Sequence, residues 1–91
     1  MYRFKKMPSI RLPYKKQGLI FFICRNYYIL PSNLKEKIKL QCEVIGGDDS
    51  TALFEVVTSD HSINSIALKY YTHEKKLYYL RKRFYEEWFR K

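Results

Sequence analysis

Residues 62–84 read SINSIALKYYTHEKKLYYLRKRF and carry two apolar stripes of helical spacing with a polar break between them. The stripes consist of Ile63, Ile66, Ala67 and Tyr70, and then of Leu77, Leu80, Phe84 and, beyond the quoted stretch, Trp88. Spacings of three and four residues place such side chains on one face of a helix, facing the core. The sequence therefore predicts two helices, over about residues 62–70 and 73–89, with Phe84 and Trp88 buried.

The order of residues in this segment is that of a helix-turn-helix. Two short helices that cross at a tight turn need a small residue midway along the first helix, where the second helix packs against it. Ala67 is in that position, the fifth counted from Ile63, and apolar residues stand at the fourth, eighth, fifteenth and eighteenth. We therefore expect a helix-turn-helix over about residues 62–89.

The stretches Ser62–Tyr70 and Lys76–Phe84 resemble the helix-turn-helix of sigma-factor region 4 and of small phage and mobile-element transcription regulators that share this fold. The "S-I-x-x-I-A" start and the "L-Y-x-L-R-K-R-F" of the second helix carry the likeness. The turn departs from the family, because Tyr71 stands where Gly is usual and Thr72-His73-Glu74-Lys75 replaces Ser-x-x-Thr. A residue other than Gly in such a bend costs about 1 kcal/mol. The resemblance implies a DNA-binding transcription regulator, with RNA polymerase as a further partner.

Helical patterns also cover most of the chain before this segment. Residues 18–30 are apolar nearly all round, which favours a helix and leaves a strand as the alternative. A helix is expected from Asn33, with Glu36 completing a capping box, to a stop at Gly46-Gly47. Residues 51–57 have helical spacing with a strand as the weaker alternative. The fold class predicted is all-α, with four to five short helices.

The two ends of the chain are basic and the middle is not. The formal net charge is +9, with +6 in residues 1–16, −2 in residues 17–67 and +5 in residues 68–91. Residues 1–17 contain Pro8 and Pro13 and no helical period, so they predict an extended basic arm before a single domain over residues 18–91. The alternative is that the arm folds back, as a strand through Ile10 to Tyr14.

Basic side chains and aromatic rings mark the expected contacts to DNA. Residues 75–83 contain no acid, whereas a solvated helix face would usually alternate Glu with Lys. One ring of each tyrosine pair, 27–28, 70–71 and 78–79, is expected in the core and the other at the surface. The candidate DNA-binding residues are Lys75, Lys76, Tyr78, Tyr79, Lys82 and Arg83 in the last helix, and Arg3, Lys5, Lys6, Arg11, Lys15 and Lys16 in the arm.

Other kinds of site lack the spacing that they need. Cys24, Cys42, His61 and His73 match no zinc motif, so we expect no metal and no cofactor, and both cysteines as reduced core thiols. No arrangement of nucleophile, base and acid predicts an enzyme. The apolar run 19–24 is too short for a signal peptide or a membrane span, so a cytoplasmic protein without membrane contact is expected.

The sequence thus predicts a sequence-specific double-stranded DNA-binding protein that regulates transcription for a phage or mobile element. Small modules of this kind usually gain affinity as C2 dimers, and a homodimer is expected. The alternative is a phage-encoded interaction or inhibitor protein that occupies a host nucleoprotein or polymerase through its basic ends.

Overall fold

The computed structural model describes residues 4–90, over which the chain forms helices and no strand. The five α-helices are α1 (Tyr14–Arg25), α2 (Ser32–Gly46), α3 (Ser50–Thr58), α4 (Ile63–Lys69) and α5 (Glu74–Glu87). Single turns of 3-10 helix cover Tyr27–Ile29 and Gly47–Asp49. The all-α fold class is confirmed. The first part of the apolar stretch 18–30 lies in helix α1 and not in a strand.

Helix α3 lies at the centre of the core and packs against each of the other four helices. Its buried side chains are Ala52, Leu53, Val56 and Val57. Phe84 of α5 and Trp88, the residue that follows the helix, are buried as predicted. They also contact α2, where the Gln41 amide donates to the carbonyl of Phe84 (3.1 Å) and the Lys37 ammonium lies 4.2 Å from the centre of the Trp88 ring.

The ends of α2 show one prediction confirmed and one wrong. The helix ends at Gly46, and Gly47 has φ +54° and ψ −121°, a conformation that only Gly adopts readily. The expected capping box of Asn33 and Glu36 is wrong. Helix α2 already begins at Ser32 after Pro31, so Asn33 lies inside its first turn and no side chain caps it.

Both cysteines are core thiols, as predicted. Cys24 on α1 and Cys42 on α2 are buried. Burial raises the pKa of each thiol to about 12, so both stay protonated at neutral pH.

The N-terminal segment packs against the helices instead of extending from them, which corrects the predicted arm. Ile10 is only 3% exposed and belongs to the core, and α1 begins at Tyr14 rather than near residue 18. The alternative of a folded-back segment is closer, although residues 4–13 form turns and irregular structure and no strand. Lys15 and Lys16 are exposed in the first turn of α1, where water and salt screen the repulsion between their charges.

Gln17 holds this segment in place through a buried side-chain amide. Its oxygen accepts a hydrogen bond from the Met7 N–H (2.9 Å). The two N–H groups of its nitrogen are shared among the carbonyls of Met7 (3.2 Å), Ile10 (3.2 Å) and Leu12 (2.9 Å). One fully buried side chain therefore bonds to four backbone groups of the segment, and the carbonyls of Met7 and Ile10 also accept turn hydrogen bonds.

Gln17→Glu should destabilise the protein by about 3 kcal/mol or more, because a carboxylate cannot donate to three carbonyl oxygens and would be buried among them. Chemical denaturation at neutral pH measures the change. Gln41→Glu is the matched control, since Gln41 makes a single, partly buried hydrogen bond to a carbonyl. Equal losses in the two variants would contradict the role given to Gln17.

Candidate nucleic-acid interface

The connection between α4 and α5 is a tight turn closed by backbone hydrogen bonds. The Thr72 N–H donates to the carbonyl of Ala67 (3.0 Å), and the Tyr71 N–H to that of Leu68 (3.4 Å). Tyr71 has φ +56°, in the left-handed region that favours Gly. The turn is therefore closed without Gly, and Tyr71 carries the backbone strain expected of another residue in such a bend.

The start of α4 is fixed by its own cap. The side-chain oxygen of Ser62 accepts a hydrogen bond from the Ser65 N–H (3.1 Å), and the Ser65 hydroxyl donates back to the carbonyl of Ser62 (2.9 Å). Such caps satisfy backbone groups that the first turn leaves unpaired. A further hydrogen bond joins α4 to the first turn of α5, from the Asn64 amide to the Glu74 carboxylate (2.8 Å).

Glu55 of α3 ties both ends of α4 to the core. Its carboxylate accepts hydrogen bonds from the Tyr70 hydroxyl (2.8 Å) and the Lys69 ammonium (3.0 Å) and contacts Nδ1 of His61 (2.8 Å). The bond with His61 has the largest effect, and together these contacts lower the pKa of Glu55 to about 2 although partial burial opposes them. The position of α4 thus depends on one carboxylate that stays ionised at neutral pH.

The first half of α5 turns two tyrosines and a lysine outward. Leu77 and Leu80 point into the core, which leaves Lys75, Tyr78 and Tyr79 on the other side of the helix. Tyr78 is 48% exposed and Tyr79 is 56% exposed. The expectation that one ring of this pair lies in the core is wrong, because the two positions flank the outward direction of α5. It is confirmed for pair 27–28, where Tyr27 is buried and Tyr28 is exposed.

The other basic candidates on α5 have acidic partners. Lys76 pairs with Asp49 (2.6 Å), which raises the pKa of the lysine. Lys82 pairs with Glu86 (3.3 Å) and Arg83 with Glu87 (3.0 Å), both four residues further along the helix. Lys75 forms no ion pair within the described part of the chain. The predicted residues therefore divide into an unpaired group (Lys75, Tyr78, Tyr79) and a paired group (Lys76, Lys82, Arg83).

The basic residues near the N-terminus lie beside the other end of α5. The backbone N–H of Arg11 donates to the Glu86 carboxylate (2.8 Å) and, as the largest influence, lowers the pKa of Glu86. The Lys16 ammonium lies 5.1 Å from the centre of the Phe89 ring. Glu86 is about 16 Å along the helix from Lys75, so these cations flank the outward tyrosines rather than joining them. Lys5, Lys6 and Lys15 are exposed, and Arg3 lies outside the described residues.

Two absences complete the description of residues 4–90. No cluster of three or more His, Cys, Asp or Glu side chains is placed to hold a metal ion in this part of the chain. None of the helices found there combines the length and apolar character needed to cross a bilayer.

Replacing Glu55 by Gln should destabilise the protein at neutral pH by about 1–3 kcal/mol, through weaker hydrogen bonds to Lys69, Tyr70 and His61. The pKa of Glu55 is lower in the folded than in the unfolded protein. Its contribution to the free energy of unfolding is therefore complete at pH values above the ordinary pKa of about 4.5, and it is lost as the pH falls toward 2. The difference in unfolding free energy between the parent and Glu55→Gln should therefore shrink below pH 4.5. Glu36→Gln, at an exposed position of α2, is the control, and a difference independent of pH would contradict this assignment.

Replacing Tyr71 by Gly should stabilise the protein by up to about 1 kcal/mol, because Gly adopts a positive φ without strain. Tyr71→Ala keeps the strain and removes a ring that is 96% exposed, so it should change stability little. Thermal denaturation of the two variants compares them. A melting temperature raised equally by both substitutions would mean that the ring, rather than the backbone, is the source of the cost.

The protein-family models, the curated proteins and the solved structures contain no match to this chain. The resemblance to sigma-factor region 4 therefore stays a prediction from the sequence.

Proposed function

We propose that this protein binds double-stranded DNA in a sequence-dependent manner by placing the first half of α5 in the major groove. As a DNA-binding protein of this kind it would regulate transcription, as small phage and mobile-element regulators do. The observation that carries the proposal is the outward group formed by Lys75, Tyr78 and Tyr79. It lies on an α5 segment, residues 75–83, that contains no acid.

The side chains of this group suit the edges of base pairs. A lysine ammonium can donate to O6 and N7 of guanine, and a tyrosine hydroxyl can both donate and accept. The aromatic rings supply flat apolar surface for the methyl group of thymine. An α-helix about 10–12 Å across fits a major groove about 12 Å wide. The first half of α5 thus has suitable chemistry and a suitable width.

The packing around α5 supports the same proposal. Helices α3, α4 and α5 each pack against the other two, and the short turn at Tyr71 fixes α4 next to the start of α5. In a helix-turn-helix the second helix enters the groove while the first crosses the backbone. The Glu55 contacts would hold α4 in that place without using any side chain of the outward group.

The lysine and arginine side chains of the paired group would bind phosphates of the DNA backbone. Partly exposed ion pairs between neighbours on one helix, such as Lys82–Glu86 and Arg83–Glu87, contribute little to stability, so their cations can exchange a carboxylate for a phosphate at small cost. The net charge of +9 would make the affinity depend strongly on salt. A C2 dimer, binding two half-sites, would raise the affinity of so small a module.

An interaction protein is the second candidate, and exposed apolar side chains favour it. Leu40 and Val44 are exposed one turn apart on α2, on a surface that such a protein could use for a polymerase or nucleoprotein partner. This candidate predicts no preference among duplex sequences, whereas the DNA proposal predicts that selection from random duplexes yields a consensus.

Lys75→Ala and Tyr79→Ala should each weaken binding to the selected duplex by about 1–3 kcal/mol and relax the base preference. Fluorescence anisotropy at several salt concentrations measures the affinity, and repeating the selection with each variant measures the preference.

Lys39→Ala and Tyr28→Ala are matched controls, because they remove an exposed lysine and an exposed tyrosine away from α5. Both should leave the base preference unchanged. The proposal fails if the parent protein selects no consensus, or if the α5 variants and the controls lose affinity equally.

A further inference from the structure

A second basic site lies apart from the outward face of α5. A cavity of about 170 Å³ opens between the N-terminal segment, α1, α3 and α5. Three of its lining residues are cationic, namely Lys5, Arg25 and Arg81, and no acid is among the described residues that line it. Its remaining walls are mostly apolar, with Phe21 and Val56 among them. Arg25 pairs with Asp60, whereas Lys5 and Arg81 form no ion pair within residues 4–90. Cations without an acidic partner in a partly apolar cavity attract an anion.

Arg81 is the residue that the fold leaves incomplete. Its Nε atom is buried and has no hydrogen-bond partner within residues 4–90, and its guanidinium makes no ion pair there. The guanidinium lies 5.2 Å from the centre of the Tyr78 ring. Burial lowers the pKa of Arg81, and the charge of Arg25 adds to that effect. A buried donor without an acceptor costs free energy, and the side chain that carries it lines the cavity.

Arg25 provides a second guanidinium whose orientation is already fixed. Its Nε donates to the Asp60 carboxylate (3.0 Å), and Nη1 donates to the carbonyl of Val57. The guanidinium also lies over the Phe21 ring, 4.3 Å from its centre. Because the side chain is held before any ligand arrives, little conformational entropy is lost on binding.

We propose that this cavity binds a phosphate group, held between Arg81 and Arg25 with Lys5 at the opening. Two planar guanidinium groups match the oxygens of a tetrahedral anion, and the volume admits one such group with a few waters. The site is separate from the outward group of Lys75, Tyr78 and Tyr79, and the proposal does not depend on DNA binding. The guanidinium of Arg81 lies against the ring of Tyr78 in that group, so a phosphate bound to Arg81 would also affect the position of this ring.

Calorimetric titration of the full chain with inorganic phosphate, at constant ionic strength, tests the proposal. We expect saturable binding that Arg81→Gln weakens about tenfold or more and Lys5→Gln weakens about threefold. Arg90→Gln is the matched control, because it removes the same charge from an exposed position that does not line the cavity and should leave the affinity unchanged. Absence of saturable binding, or an equal loss in Arg90→Gln, would overturn the proposal.

Thermal denaturation shows whether an Arg81 variant loses binding only because it loses its structure. Without phosphate, Arg81→Met should be at least as stable as the parent, because it removes a buried cation that has no acidic partner. Phosphate should raise the Tm of the parent and not that of Arg81→Met. A Tm that rises equally in both proteins would also overturn the proposal.

The source of the phosphate group is decided by competition. Adenosine monophosphate and a short DNA duplex are each added to the protein loaded with phosphate. Displacement by the nucleotide alone identifies a small phosphomonoester as the ligand class, and displacement by the duplex identifies a backbone contact of DNA. Both results support a phosphate site, whereas displacement of phosphate by chloride at the same ionic strength argues against one.

Discussion

The structure depends on the burial of α3, a helix of nine residues that contacts each of the other four. A helix of this length is unstable alone in water, so its stability comes from packing. Four apolar side chains face inward, and Glu55 at the edge of the same helix reaches the residues that flank α4. Because α3 both fills the core and orients α4, the placement of α4 and α5 follows from the same packing that makes the domain fold.

Much of this fold could be predicted from the sequence, because the information lay in short periodic patterns. The stop of α2 at Gly46-Gly47 and the inward stripe of α5 follow from local spacing and from the conformational freedom of Gly. The packed N-terminal segment could not be predicted. Its attachment depends on Ile10, on Met7 and Leu12 packed beside the core, and on the side chain of Gln17, which bonds to backbone groups five to ten residues away. These few apolar residues and one amide have no periodicity to mark them among the lysines and prolines.

The candidate interface likewise has features that could be predicted from the sequence and features that could not. The outward direction of Lys75 follows from helical phase relative to Leu77, and the pairing of Lys82 with Glu86 could have been inferred from their spacing of four. The pairing of Lys76 with Asp49 could not, since the two residues are brought together only by the packing of the helices. Nor could the cavity, whose cations come from three separate parts of the chain. Sequence periodicity gives the face of a helix, and tertiary packing decides which charges on that face stay unpaired.

Two residues near the exposed face of α5 each have a local feature that costs free energy of folding. Tyr71 keeps a strained backbone in the turn that precedes the helix, and its ring is too exposed to stabilise the core. Arg81 keeps a buried donor without a partner on the inner side of the same helix. Local departures of this kind concentrate where a protein binds something, because the free energy that they cost is recovered only in the complex. Tyr71 precedes α5 and Arg81 lies on it, and α5 is the helix proposed to enter a DNA groove, with a basic cavity on its inner side. The proposed binding at α5 would give one physical reason for two features that the fold alone does not require.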